Sequence, residues 1–94
     1  MIEFAVGPES IESILLTPPG AVVIGEVLKG PLKRGARFTR AVAGRDERSV
    51  SLRIDRIVFD NRVWDQLARP DVLVTLELTG EGLGLLRPHD LLMT

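Results

Sequence analysis

Between Ser49 and Ile54 the chain reads SVSLRI, so Val50, Leu52 and Ile54 fall on one face of an extended backbone and Ser49, Ser51 and Arg53 on the other. A period of two marks a strand with one dry face and one wet face. The pattern recurs: Ile2, Phe4 and Val6 alternate near the N-terminus, and Val72, Val74, Leu76 and Leu78 alternate in DVLVTLELT at 71–79. Glycine and proline separate such segments, in GPES, PPG at 18–20, GPLKRG at 30–35 and GEGLG at 80–84. Helix signals are scarce, so strands at short intervals predict an all-β domain.

Further strands are expected over SILLT at 13–17, over 21–29 and over 36–43, with Ser10 as the cap of a brief helical turn. In 21–29 apolar residues occupy both faces, Val22, Ile24 and Leu28 on one and Val23 and Val27 on the other, which suits a strand covered on both sides. GPLKRG is expected to be a turn and GRDER at 44–48 a polar loop. After Ile54 the apolar phase slips to Ile57 and Phe59, which predicts a bulge near Asp55–Arg56. In 60–71, Asp60 or Asn61 is expected to cap one helical turn that Pro70 ends, and LLRPHDLLMT is expected to pair through its last residues.

The chain has 94 residues, enough for one small domain spanning 1–94. At 45% apolar and 27% charged its composition is that of a globular protein, and Phe4, Phe38 and Phe59 sit in strand patterns as core residues. Six or seven short strands in so small a chain are best closed into a barrel, because closure removes exposed edges. No cysteine is present, which excludes disulfides and thiolate metal sites. MIEFAVGPES carries no basic leader, and no run approaches the roughly 20 apolar residues of a membrane helix, so a cytoplasmic protein without a membrane partner is expected.

Glycines at 20, 25, 30 and 35 raise the question of a phosphate loop. Such a loop needs Lys-Ser or Lys-Thr at the start of a helix, whereas Lys29 is followed by Gly30 and Pro31 with no helix beyond. The glycines read instead as turns, bulges and tight bends. At these residues the chain resembles the second domain of translational GTPases such as elongation factor Tu, a small antiparallel β-barrel. GAVVIGEVLKGPLKRGARF looks like that domain's opening, with Gly20, Val22–Val23, Gly25, Val27, Gly30 and Gly35 on its pattern. VSLRIDRIVFDNRVWDQLARPDVLVTLELTG is similar to its strand, connector and strand ending at Gly80, and LLRPHDLL to its closing segment. The connector departs at Arg69-Pro70-Asp71 and the closing turn at Pro88-His89, where the family usually has glycine. No GTPase motif is present.

The resemblance implies a closed six- to seven-stranded barrel that binds RNA (tRNA or rRNA) or a translation-associated protein. In the family an acidic residue and an arginine from the connector hold the RNA end. The arginine falls near Arg62, and the acidic position falls on Phe59 with Asp60 beside it. Alternatively Asp60 and Arg62 are turn and solvated loop residues. Net charge is −1, yet Lys29, Lys33, Arg34, Arg37, Arg40, Arg45 and Arg48 crowd one segment against Asp46 and Glu47. Lys33, Arg34, Arg37 and Arg40 are candidates for phosphate contact, or else for solubility and edge protection. Trp64 is a candidate stacking or partner anchor if exposed, or a cap on the barrel end if it folds back with Val63 and Leu67.

His89, the one histidine, reads as a turn residue, and no nucleophile elbow or carboxylate pair suggests catalysis. The expectation is a non-catalytic binding module with no cofactor and no metal. The alternative is a structural or protein-interaction barrel, a homo-oligomer or accessory subunit, in which Trp64, Leu83, Leu85 and Leu86 form an apolar patch. A flavin- or oxidoreductase-type barrel lacks every nucleotide signature.

Overall fold

The structure, a computed structural model, describes residues 1–94. Its strands are β1 (Glu3–Val6), β2 (Ile14–Thr17), β3 (Gly20–Lys29), β4 (Leu32–Lys33), β5 (Arg37–Ala43), β6 (Asp46–Phe59), β7 (Arg62–Trp64), β8 (Gln66–Leu67), β9 (Leu73–Glu81) and β10 (Leu91–Met93). Helical structure is confined to single 3-10 turns at Glu9–Ile11 and Leu83–Leu85, so no helix is long and apolar enough to cross a membrane. The fold is all-β, and every strand pairing is antiparallel.

Six strands pair in the order β1-β10-β5-β6-β9-β3, and β3 pairs back to β1, so the sequence of hydrogen-bonded neighbours returns to its start. The seam at β3 requires Gly25, opposite Val6: a Cβ there would run into the Ala5 carbonyl oxygen and lie 2.7 Å from the Phe4 ring. β2 takes the other half of the same β3 edge, from Gly20 to Val23. β7 pairs the far end of β6, and β4 with β8 makes a separate two-stranded sheet.

The alternating segments turn their apolar faces inward. Phe4, Val23, Val27, Phe38, Leu52, Ile54, Ile57, Leu76 and Leu92 are almost fully excluded from solvent, in one core of 18 residues. Burying each such side chain stabilises by about 1.5–3 kcal/mol before chain entropy is counted. Phe59 is only half-buried, at the edge of this core. The phase slip on β6 is a bulge: Ile54 pairs Leu78 and Arg56 pairs Glu77, which leaves Asp55 as the extra residue. Ile57 thereby stays inside despite the odd spacing from Ile54.

Four local expectations need correction. GRDER is not a loop: β5 and β6 are joined by Gly44-Arg45 alone, and Asp46 already pairs Ala43. Asp60-Asn61 caps no helical turn, because both residues have positive φ (54° and 57°) and close the β6–β7 hairpin in the manner of a type I′ turn. Within GPLKRG, Leu32 is fully buried and Leu32–Lys33 pair Gln66–Leu67. Ser10 lies inside its 3-10 turn, which has no side-chain cap.

Candidate nucleic-acid interface

The β4–β8 pairing brings two separate sequence candidates together. It sets Lys33 opposite Gln66, and the turn that follows is fixed to the connector by the Arg34 N–H, which donates to the Asp65 carbonyl oxygen at 2.8 Å. The Arg34 Nε stands 3.5 Å from the Asp65 carboxylate, an exposed ion pair. The chain then enters β5 through Gly35, whose φ of 91° suits glycine and whose N–H donates to the Ile54 carbonyl at 2.7 Å.

On the outer face Arg37 stands directly opposite Arg53 of β6. Arg37 Nη1 donates to the Ser51 hydroxyl at 3.0 Å and has no carboxylate partner within ion-pair distance. Arg53 Nε lies 3.4 Å from Asp55 Oδ1, while Asp55 Oδ2 accepts the Thr79 hydroxyl at 2.6 Å. Arg40 is farther along β5, paired with Glu47 at 3.2 Å, so its charge is largely answered within the protein.

Asp60 and Arg62 occupy the exposed β6–β7 hairpin, and no ion pair joins them to each other or to Arg34 or Arg37. Trp64 folds back: its ring stacks at a tilt on Phe59 with centroids 6.4 Å apart, and its Nε1–H donates to the Phe59 carbonyl at 2.9 Å. Arg69 covers the same Phe59 ring at 5.5 Å. Val63 does not join this cluster; it points outward beside Val58. Nor does Trp64 share a patch with Leu85: Trp64 pairs Ile57, whereas Leu85 and Gly82 flank Val50, about 23 Å back along β6 at ~3.3 Å per residue.

Sequence reasoning missed Arg53 and Ser51, which were read only as the wet face of a strand. It also missed the pair that ties the closing segment to β6. Arg48 Nη2 donates to Asp90 Oδ1 at 2.6 Å, and Asp90, fully buried, also accepts the Arg87 N–H at 2.8 Å. Arg48 Nη1 donates to the Leu85 carbonyl, and its Nε lies 3.2 Å from Asp46 Oδ2 but is misaligned for a hydrogen bond. The hydrogen bond to Asp90 raises the Arg48 pKa above the ordinary arginine range; burial opposes this, and the charges of Asp90 and Asp46 add to it. His89, with φ 68°, sits in the turn that presents Asp90.

Elsewhere on the ring, Val22 and Ile24 are half-exposed and Leu28 is open to solvent, so that face of β3 is not covered as its sequence suggests. Ile24, Thr75, Val58 and Val63 form one cross-strand row, flanked by exposed Leu15 and Leu73. No protein-family model matches the chain, and no curated protein is significantly similar to it.

Proposed function

We propose that the six-stranded ring is a closed barrel of the kind found as the second domain of translational GTPases, and that it works as a non-catalytic cytoplasmic module that binds RNA or a translation-associated partner. The observation that supports this reading is the joining of the basic Lys33–Arg37 segment to the connector through β4–β8 and the Arg34–Asp65 contacts. It sets exposed cations on a rigid strand frame rather than on a free loop, which is what a phosphate-tracking surface needs. The test is co-sedimentation with ribosomes and filter binding to tRNA at low and moderate salt. Binding at micromolar protein that weakens as salt rises is expected, and no binding at either salt removes the RNA reading.

A second reading is favoured by the apolar row on the outer face, Ile24–Thr75–Val58–Val63 with Leu15 and Leu73. Exposed Leu15, Val63 and Leu73 gathered around half-buried Ile24 and Val58 are the kind of apolar surface that marks a protein contact. In this reading a second copy covers the row and the domain is a structural homo-oligomer without an RNA role. Light scattering distinguishes the two: a dimer broken by Val63→Glu supports the homo-oligomer, and a monomer at high concentration contradicts it.

A further inference from the structure

We propose that Arg37 and Arg53 together hold a backbone phosphate of single-stranded RNA on the outer surface of β5 and β6. This rests on the reading of the barrel as an RNA-binding module and gives that module a specific anion site. The two arginines are cross-strand partners at Cα, where an opposite-charge or neutral pair would stabilise the sheet. The Arg37 guanidinium rests on Ser51 and the Arg53 guanidinium toward Asp55, and an anion between the strands would draw the two exposed side chains together. Both side chains are exposed, which leaves them open to a ligand.

Their surroundings do not answer the charge. Arg37 contacts only the hydroxyl and carbonyl oxygen of Ser51, both neutral. Arg53 has Asp55, but that carboxylate is shared with the Thr79 hydroxyl and stands on the side of Arg53 away from β5. The β5 sequence RFTRAVA offers no acid at all. Within ion-pair distance one carboxylate is therefore set against two guanidinium groups, with Glu81, the partner of Ser51 on β9, forming no ion pair with either, and a further anion offsets the excess positive charge. A phosphate suits this best, because each planar guanidinium fork can engage two of its oxygens. Lys33, which has no carboxylate partner, adds positive charge beyond the Gly35 turn, while Arg34 beside it is in an exposed ion pair with Asp65; a second cation along the chain fits a repeating polyanion better than a single small ion.

The experiment titrates a fluorescein-labelled oligouridylate of about a dozen nucleotides into the protein over a range of salt concentrations. The proteins are wild type, Arg37→Gln, Arg53→Gln, the double variant, and Arg56→Gln as a control whose arginine faces Glu77 at 3.5 Å on the same surface. Each single change is expected to weaken binding several-fold and to lower the slope of log K against log salt by about 0.7, the double change by about 1.4, and the control by much less. Melting temperature is expected to hold or rise in Arg53→Gln, since a like-charge pair has been relieved; a residue that only supports the fold would show the reverse. Wild-type binding with an unchanged slope in the double variant overturns the site but leaves the RNA module standing. No wild-type binding overturns both. Equal binding of polyglutamate of matched length overturns the phosphate assignment.

Discussion

Arg48 and Arg53 lie on the same strand, yet the protein uses their charges in opposite ways. The Arg48 side chain is 11% exposed and meets Asp90, which is completely buried, along with the Leu85 carbonyl and Asp46. The Arg53 side chain is 55% exposed, shares the Asp55 carboxylate with the Thr79 hydroxyl and has another arginine as its cross-strand partner. The first arrangement joins β6 to the turn before β10 and so helps close the ring. The second leaves two exposed cations at one cross-strand position, the arrangement on which the proposed anion site rests. The lesson is that an arginine-rich strand cannot be read as a binding surface or as a structural one by composition; the location of the nearest buried carboxylate decides.

The largest effect is expected at the buried pair. Asp90→Ala leaves the Arg48 guanidinium without its main partner and the Arg87 N–H without an acceptor, at a cost of about 3–5 kcal/mol. In a domain of this size that is a fall in melting temperature of more than about 12 °C, readable by circular dichroism. Arg48→Met should cost about as much, because it leaves the fully buried Asp90 carboxylate without its cation even though the methionine still packs. The pH dependence follows from the sign of the shift. The folded-state pKa of Arg48 is raised, so its contribution is fully present below the ordinary arginine range and is lost only as pH climbs through the raised value. The stability gap between wild type and Arg48→Met should stay constant from about pH 7 to about pH 10.

Next in size is the seam where β3 meets β1. Gly25→Ala presses a methyl group against the Ala5 carbonyl and the Phe4 ring, and about 1–3 kcal/mol of destabilisation is expected. Faster hydrogen exchange confined to β1 and the second half of β3 would locate the damage. The smallest effect on stability is expected at Arg53→Gln, within about 0.5 kcal/mol and toward a more stable protein. If Arg53→Gln destabilised as much as Asp90→Ala, the contrast between the two arginines would fail.

Much of the frame was legible before the structure. The alternation at Val50, Leu52 and Ile54 and at Val74, Leu76 and Leu78 gave both strands and their buried faces, and the slip after Ile54 located the bulge. These readings succeed because a one-sided strand writes its burial into a local period. Strands of two residues write none, so Leu32–Lys33 and Gln66–Leu67 read as turn and connector in the sequence although they pair in the fold. Asp60-Asn61 misled because the same side chains that cap helices also tolerate positive φ. The outer face of β3 misled in another way: Val22, Ile24 and Leu28 promise a covering layer that the chain does not supply. Of the proposed interface, Lys33, Arg34 and Arg37 are visible as local charge. Arg53 as the partner of Arg37, and Arg48 as the partner of Asp90 at the other end of the chain, depend on pairings between distant segments that no local pattern records.

In the proposed site Arg37 and Arg53 meet RNA, while Arg48 is committed to the fold. The most direct test follows the arginine Nε–Hε signals by nuclear magnetic resonance as oligouridylate is added. The Arg37 and Arg53 signals are expected to move together and saturate while Arg48 stays in place. Saturating shifts at Arg48 and Arg87, with Arg37 and Arg53 unmoved, would contradict it.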